Sequence, residues 1–458
     1  MLRRVLWSGL VTILAAGMVL SAATLPVKLV AFPGAEGFGK YAWGGRGGDI
    51  YRVTSLDDSG PGSLREGIET AQGPRTIVFE VSGTIQLKNR LLMLRKANLT
   101  IAGQTAPGKG ITLRDYGLRI DKCRDVVVRY LRIRLGDENK PIGGQDVMTV
   151  NDNRNLILDH LSLSWGIDGN SDYRRNGDMT LQWLIYSEAL NKSIHEKGEH
   201  AMCTSLRQCA GDTTVHHNIY ATSRHRHPTL GGGSGTSNPE ALVDFRNCVN
   251  YNWSGPTNFG GMKINVVNNY YRKGPLSDRH AHPMQMKDSK LAEARGFMSG
   301  NVFDGLLEVF TIDNYSAVWY ENTGRYASMP REQWEAQEEF LVGEYHVPTQ
   351  SARDAYEACL KYSGCSLVRD SVDERLIRDI IDRKGKLLDS QSDVGGWDPY
   401  PEERRPQNWD RDGDGMPDAW EVSQGLNPAD PTDGRKDKNG DGYTNLEDYL
   451  NSLTPIAK

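Results

Sequence analysis

Three aspartates near the middle of the chain have the residue type and spacing of a cation site. Asp146 lies in the run Gly-Gln-Asp-Val, and Asp168 and Asp172 follow four residues apart. If Asp146 lies on one of two stacked strands and the other pair on the next, the three carboxylates converge on one face. Like charges that close are unfavourable, and a bound Ca²⁺ would relieve the repulsion. Aspartates also commonly cap turns, so the spacing alone leaves both interpretations open.

Two basic residues follow these aspartates along the chain. Lys197 stands in the run His-Glu-Lys, and Arg226 stands two residues before Pro228. Isolated Lys and Arg side chains are usually solvated. Beside a cation site on a scaffold of stacked strands, however, they would bind a carboxylated sugar chain.

Two acidic loops near the end of the chain match the calcium loop of an EF-hand, in which oxygen ligands recur and a glycine at position 6 permits the turn. The first loop supplies Asp410, Asp412, Asp414, Asp418 and Glu421, and the second supplies Asp437, Asn439, Asp441, Asn445 and Asp448. Helices are expected after each loop but not before it, which is typical of a dockerin-like unit with a structural role. The alternative is a solvated acidic tail.

The elements that must position these residues are short β-rich runs between about residue 75 and residue 304. Several runs place Asn, Gln or His at the same point, at intervals typical of a solenoid. These points are residues 159–160, 182–183, 216–218, 246–247, 267–269 and 299–301. An Asn at such a bend can bond backbone groups that the turn leaves unpaired. The repetition predicts an all-β fold, a right-handed parallel β-helix, because a β-sandwich would show hairpin turns at shorter intervals.

Helices are predicted at both ends of the β-helix. Residues 63–66 have capping-box spacing and would begin a short helix over the open end of the first turn. Residues 331–341, 352–362 and 374–383 have helical patterns and are expected to wrap the solenoid or to cover its other end.

Composition and charge narrow the class of protein. The chain has 458 residues, 38% of them hydrophobic, with 49 glycines and a mean hydropathy of −0.55. These values suit a soluble, turn-rich β protein and exclude a polytopic membrane protein. The net charge is −5 at pH 7, and no basic stretch carries a nucleic-acid motif. A polyanion other than DNA or RNA is therefore the expected partner.

The start of the chain has the pattern of a signal peptide. Arg3 and Arg4 precede an apolar run over residues 5–20, and small residues stand at 21–23. The apolar run is short and no basic stop-transfer cluster follows it, so the mature protein is expected to have no membrane span. We therefore predict export.

Six cysteines in an exported chain permit disulfides. Two pairs, Cys203 with Cys209 and Cys359 with Cys365, are close enough in sequence to close small loops. Buried free thiols are the alternative, and the spacing selects no pairing.

The order of these residues resembles the pectate lyase superfamily, and more narrowly the exported bacterial enzymes of polysaccharide lyase family 1. The matching series comprises Asp146, Asp159-His160, Asp168, Asp172, Lys197, His217-Asn218 and Arg226 before Pro228. Three glycine-rich segments, residues 32–39, 44–48 and 60–65, are similar to the start of many such chains. The resemblance covers about residues 31–400.

This resemblance implies a secreted, calcium-dependent lyase that cleaves (1→4)-α-D-galacturonan, as pectate or polygalacturonate, by β-elimination to 4,5-unsaturated oligogalacturonides. It assigns Asp146, Asp168 and Asp172 to Ca²⁺, Lys197 to the substrate carboxylate and Arg226 to the C5 proton. The enzyme is expected to act as a monomer.

From these patterns the chain is expected to have four parts. Residues 1–23 form the signal peptide, and residues 24–330 form the β-helix that carries the catalytic site. Residues 331–407 form an extension that packs on the β-helix, and residues 408–458 form the calcium-binding tail.

Two positions depart from the family pattern. The family often has Arg directly after the proline and again two residues later, whereas this chain has Thr229 and Gly231. Arg207, Arg224 or a neighbouring histidine could replace the arginine that binds substrate. Two rival functions stay open: a carbohydrate-binding β-helix without activity, and a polygalacturonase-like hydrolase that uses a pair of carboxyl groups.

Overall fold

Three sheets run along the length of the molecule. A computed structural model describes residues 28–138, 143–231, 238, 240–287, 294–320, 329–399 and 401–454. The predicted signal peptide lies outside these residues. Within the described part, no helix combines the length and the apolar character that crossing a membrane requires.

Each turn of the chain contributes one strand to each sheet. Sheet A has ten strands, Asp49–Val53, Arg75–Phe79, Ala97–Ala102, Arg124–Arg129, Arg154–Asp159, Gly177–Gln182, Thr213–His216, Leu242–Arg246, Lys263–Val267 and Arg295–Ser299. Sheet B has nine strands, Leu91–Leu94, Leu118–Asp121, Met148–Asn151, Gly169–Arg174, Met202–Arg207, Thr229–Leu230, Thr257–Phe259, Met284–Met286 and Val318–Tyr320. Sheet C has ten strands, Val81–Gln86, Ile111–Arg114, Arg132–Arg134, Ser162–Ser164, Ile185–Ser187, Ile219–Ala221, Val249–Tyr251, Tyr270–Arg272, Val302–Asp304 and Glu403–Arg404.

Stacked apolar side chains fill the space between the sheets. In sheet A, Leu156 lies in register between Val126 and Met179, and all three side chains are buried. Neighbours in this stack come from successive turns of the chain, so a sequence repeat is converted into a continuous core. The architecture is a parallel β-helix, as the sequence predicts.

The polar positions that repeat in the sequence lie in register at the end of sheet A. Asp159 pairs with Gln182, Gln182 with His216, and His216 with Arg246. The residue that follows each of these strands adopts a left-handed backbone conformation, which turns the chain towards sheet C; φ is 53° at His160 and 58° at Trp183. The Asn/His repeat is therefore a corner of the β-helix.

Asparagines beyond this corner form a buried ladder. The amide oxygen of Asn301 accepts hydrogen bonds from the backbone and the side chain of Asn269, each at 2.9 Å. The amide nitrogen of Asn301 donates to Val266 O at 2.7 Å and to Asn314 Oδ1 at 2.9 Å. Each rung thus satisfies backbone groups of the preceding rung, as expected from the sequence.

The predicted cap helix is present as α1, Leu64–Glu69. The hydroxyl of Ser63 accepts a hydrogen bond from Glu66 N, as a capping residue does. The carboxylate of Glu66 bonds differently from a full capping box, since it accepts from Gly62 N at 2.9 Å and from the Tyr51 hydroxyl at 2.6 Å.

Among the described residues, six further helices follow α1 along the chain, and six single turns of 3-10 helix lie between elements. The helices are α2 Glu308–Ile312, α3 Arg331–Trp334, α4 Ala352–Tyr362, α5 Ser371–Asp382, α6 Asp418–Gln424 and α7 Asn445–Ser452. The 3-10 turns are Gly103–Thr105, Ser277–Arg279, Asn314–Ala317, Gly343–Tyr345, Gln391–Val394 and Asp433–Arg435.

The predicted helix over residues 331–341 is wrong beyond its first turn. The backbone becomes extended at Glu335, which forms a bridge with Gly296 of sheet A, and Ala336 N donates to Gly296 O at 2.9 Å. A sheet edge therefore replaces helical bonding at that point. The helix predicted over 374–383 instead begins at Ser371, because the Asp370 carboxylate caps it.

Helices α4 and α5 cover the outer face of sheet C. Tyr356 and Leu376 belong to a buried cluster that also includes Ile219 and Val249 of the sheet. The extension therefore packs against the solenoid. All six cysteines are described and buried, and none forms a disulfide. The free-thiol alternative holds.

The first edge of sheet C is covered by a strand from near the end of the chain. Glu403–Arg404 pairs with Val81–Gln86 in antiparallel orientation, with Arg404 opposite Val81. All other described strand pairs in the three sheets are parallel.

Candidate active site

Sheet B carries two rows of polar residues in register. Asp172 lies beside Thr149 on one side and Ser205 on the other, and Arg174 lies beside Arg207. Residues two apart on a strand face the same way, so the rows of Asp172 and Arg174 share the outer face of the sheet. The apolar residues between them face the core.

Asp168 and Asp172 are held by neighbouring side chains. The Asp172 carboxylate lies 2.5 Å from Arg174 Nη2 and accepts a hydrogen bond from Arg207 Nη2 at 3.1 Å. Oδ1 of Asp168 lies 2.9 Å from Nε2 of His200. Both carboxylates therefore have fixed positions at the start and the middle of one strand.

Asp146 lies against the same strand from the preceding turn. Its Oδ1 would lie 3.0 Å from a Cβ at Gly169, so the absence of a side chain there admits the carboxylate. Burial, followed by the charges of Asp168 and Asp172, raises the pKa of Asp146 well above its usual range. The fold therefore brings the three predicted aspartates within electrostatic reach of one another.

Arg226 faces this acidic group. Its Nη1 donates to Ser205 Oγ at 3.1 Å, and its carbonyl accepts from Thr204 N at 2.9 Å. Burial and then the charge of Arg207 lower the pKa of Arg226, and the three aspartates oppose this shift. The guanidinium thus lies within the electrostatic reach of Asp146, Asp168 and Asp172.

Lys197 and Arg224 border the site on an exposed loop. The backbone N–H of Lys197 donates to His195 Nδ1 at 3.0 Å, and the side chain is exposed. Arg224 pairs with Glu199 and donates to Asn191 Oδ1 at 3.3 Å. Of the two arginines suggested as replacements for the family arginine, Arg207 is therefore nearer the aspartates. The charge of Arg224 is instead paired with Glu199 within the loop.

The two departures from the family pattern have local structural reasons. Thr229 lies in the same row as Ser205, and its hydroxyl accepts a hydrogen bond from Asn258 Nδ2 at 3.2 Å. Gly231 has φ of +85°, and a Cβ there would lie 3.0 Å from Met262 Cε. An arginine at either position would replace these contacts.

Three residues of the site were not identified from the sequence. Arg174 could have been found, because it follows Asp172 by two residues on a strand. His195 and His200 could not, since a loop brings them in; their rings stack at 3.8 Å. Together with Asp168 they place ligand atoms within 4.8 Å of one another.

The chemistry of the donor set fits calcium. Asp146, Asp168 and Asp172 offer only carboxylate oxygens, which hard cations prefer, and the charges of Asp168 and Asp172 add to burial in raising the pKa of Asp146. Imidazole nitrogens suit softer metals. We therefore assign His195 and His200 to the wall of the site.

The two acidic loops of the tail differ in their bonding. In the first loop, ligand atoms of Asp410, Asp412 and Asp414 lie within 4.8 Å of one another. Asp418 bonds to Arg411 instead. Glu421 is buried, and its carboxylate lies close to that of Asp414.

In the second loop the polar groups bond to one another. Asp437 accepts from the backbone of Gly440 at 2.7 Å, and the amide of Asn439 donates to Asp441 at 3.1 Å and to Asp448 at 3.0 Å. The amide of Asn445 donates to a backbone carbonyl outside the loop.

Known proteins share most of the chain. The probable pectate lyase C of Aspergillus flavus is 34% identical over 444 residues, which cover 94% of this chain and 95% of that protein. The probable pectate lyase C of Aspergillus oryzae is 34% identical over 450 residues, with coverage of 94% and 95%. That of Emericella nidulans is 32% identical over 432 residues, covering 93% of each chain. No family model matches the chain.

Solved structures share the fold. The cedar pollen allergen jun a 1 aligns with a TM-score of 0.52 at 20% identity, over 72% of this chain and 92% of its own. The thermostable pectate lyase PL 47 aligns with a TM-score of 0.50 at 14% identity, over 72% and 97%. Identity to the Aspergillus proteins extends over nearly the whole sequence and confirms the resemblance that the sequence indicates. The chain belongs to the pectate lyase family.

Proposed function

We propose that the protein is a secreted, calcium-dependent pectate lyase that cleaves (1→4)-α-D-galacturonan by β-elimination. The observation that supports this most is the position of Arg226, whose guanidinium faces three clustered aspartates and whose pKa is lowered. The name of the Aspergillus relatives supports the same substrate.

Asp146, Asp168 and Asp172 would hold the calcium ion. When bound, Ca²⁺ would withdraw charge from the carboxylate of a uronate residue and so acidify the proton on C5. Arg174 and Arg207, beside Asp172, would bind neighbouring carboxylates of the polymer, and Lys197 would bind the reacting one.

Arg226 would remove the C5 proton. Arginine is ordinarily protonated, so its neutral form is scarce at neutral pH. Burial and Arg207 disfavour the cation, which increases the neutral fraction, and higher pH would increase it further. As the proton leaves C5, the bond from C4 to the glycosidic oxygen breaks and a double bond forms between C4 and C5. The departing oxygen takes a proton, and no water is consumed.

The test is the activity of Arg226→Ala on polygalacturonate with and without Ca²⁺. A positioned general base contributes about 10²–10⁴-fold, so a loss of that size is expected. The matched control is Arg175→Ala, just after the strand Gly169–Arg174, because Arg175 is engaged with Asp152 at 2.7 Å rather than with the site. Ultraviolet absorbance of the unsaturated product measures elimination directly.

Four results would contradict the proposal. Full activity of Arg226→Ala would refute the assignment of Arg226 as the base. New reducing ends without unsaturated product would indicate a hydrolase. No cleavage of any polyuronate by the intact protein would favour the carbohydrate-binding alternative. Cleavage that ignores a strong chelator would exclude the calcium requirement and would point to methylated pectin.

Export is tested separately. The mature protein recovered from the medium or the periplasm should begin at residue 24, if residues 1–23 are removed as proposed. A mature chain that retains its first residues would contradict this.

A further inference from the structure

The first acidic loop of the tail continues into a buried carboxylate group that its sequence motif does not include. Asp414, Glu421 and Asp433 place carboxylate oxygens within 4.8 Å of one another. Asp414 is 2% exposed, Glu421 is 0% exposed and Asp433 is 5% exposed. Asp414 also belongs to the triplet with Asp410 and Asp412, so the two sets of ligand atoms are continuous.

Five oxygens of this group have no hydrogen-bond partner among the described residues. They are Asp412 Oδ2, Asp414 Oδ2, Glu421 Oε1, Glu421 Oε2 and Asp433 Oδ1. An unpaired buried charge is strongly unfavourable unless a counter-charge is present.

Asp433 is held so that its free oxygen faces this group. Its Oδ2 accepts from Asn427 N at 3.1 Å, which leaves Oδ1 unpaired. The next residue is Gly434, where a Cβ would lie 2.6 Å from Asp414 Oδ2. The glycine therefore allows this turn to approach the loop.

Asp418 occupies position 9 of the motif but lies outside the group. Its carboxylate accepts a hydrogen bond from Arg411 N at 3.0 Å and pairs with the guanidinium of the same residue. Asp418, which the motif names as a ligand, thus bonds to Arg411 instead. Asp433, from outside the loop, joins the group in its place.

The loop is part of the contact between the tail and the β-helix. Met416, which follows the loop glycine, is buried with Leu446 and Tyr449 against Val78 and Ala102 of sheet A. Next to this cluster, Glu447 pairs with Arg46 at 2.8 Å. The conformation of the loop therefore fixes the apolar contact.

We propose that a hard divalent cation such as Ca²⁺ binds Asp410, Asp412, Asp414, Glu421 and Asp433, and that this cation fastens the tail onto the first turns of the β-helix. Four aspartates and a Glu421 that has both oxygens unpaired can supply six of the roughly six to eight oxygen ligands that Ca²⁺ takes. The inference is independent of the proposed lyase reaction.

Terbium luminescence in the full-length protein tests the ligand set. Trp409 and Trp420 belong to the same apolar cluster as Met416, so they can transfer energy to Tb³⁺ in this loop. Ca²⁺ should displace the Tb³⁺. Asp433→Asn is expected to weaken cation binding by about tenfold or more, because it removes one charged ligand. The matched control Asp418→Asn should bind within about twofold of the parent.

Thermal unfolding separates cation binding from a merely structural role. In saturating Ca²⁺, Asp433→Asn should melt below the parent, since it binds the stabilising cation more weakly. In chelator, the same variant should melt at or above the parent, because a buried unpaired charge is gone. Glu421→Gln should show the same reversal, which keeps the test valid if one variant folds poorly.

Two outcomes would overturn the proposal. In one, Asp433→Asn retains parental affinity while Asp418→Asn loses it, and the sequence motif then describes the site. In the other, the parent shows no sensitised Tb³⁺ signal and no Ca²⁺-dependent change in melting. Neither readout depends on cleavage of polygalacturonate, so the lyase proposal can fail without affecting this one.

Discussion

Glu36 gives a quantitative prediction about how stability depends on pH. It lines a cavity of about 290 Å³ beside sheet A, together with Asp159 and Trp183. Burial, followed by the charge of Asp159, raises the pKa of Glu36 from 4.5 to about 7. The nearest described partner is His216, whose Nε2 lies 3.7 Å away, and burial keeps the pKa of this imidazole well below its usual range. Little therefore favours the charged form of Glu36.

The direction in which stability changes with pH follows from proton binding by Glu36 in the folded and unfolded states. Between pH 4.5 and about 7 the folded protein keeps a proton on Glu36 that the unfolded chain has lost. The stability that this proton contributes is complete below pH 4.5 and is lost as the pH rises to about 7. The shift corresponds to about 3 kcal/mol. The side chain keeps 28% exposure, so we expect about 2 kcal/mol after allowing for solvent screening.

The assay compares parent and Glu36→Gln by chemical unfolding at constant Ca²⁺ from about pH 4.5 to pH 8. The neutral glutamine cannot lose a proton, so the free energy of unfolding of the parent should fall by about 2 kcal/mol relative to the variant over this range. Glu332→Gln, at an exposed position of α3, should follow the parent. Parallel curves for parent and Glu36→Gln would refute the reasoning.

Two further substitutions test the ladder and the site. Asn301→Ala should lower the free energy of unfolding by about 3 kcal/mol or more, because it leaves buried partners such as Asn269 unpaired; denaturant unfolding measures the loss, and a change under about 1 kcal/mol would contradict the role of the ladder. Lys197→Ala should lower kcat/KM on polygalacturonate by about 10²-fold without changing the melting temperature, since the side chain is exposed. Lys192→Ala, an exposed lysine of the same loop that pairs with Glu199, is the control and should keep parental activity; equal losses in both variants would contradict a specific role for Lys197.

The fold could be predicted because its repeat is local. Each corner of the β-helix needs a residue that tolerates the left-handed backbone, followed by an amide that bonds the preceding rung, and both requirements are visible at residues 216–218 and 267–269. The length of α3 could not be predicted. Its sequence is compatible with a longer helix, but Glu335 meets the edge of sheet A, a contact distant in sequence.

The site was predictable only where the family motif names its residues. The positions of Asp146, Asp168 and Arg226 follow from that order. The approach of His200 to Asp168 depends on the path of a loop, and the approach of Asp433 to Asp414 depends on how two turns fold together. Neither proximity is encoded in local spacing.

The strand Glu403–Arg404 has a consequence for how the molecule can assemble. A stack of parallel strands has a natural tendency to grow, because the backbone groups of its first turn are left open to any similar strand from a second molecule. Here a short segment of reversed direction occupies part of that edge. Since this segment follows all turns of the β-helix in the chain, the edge stays open until synthesis has passed residue 404. Chains shortened before residue 403 would leave this sheet edge unpaired and would be prone to associate end to end.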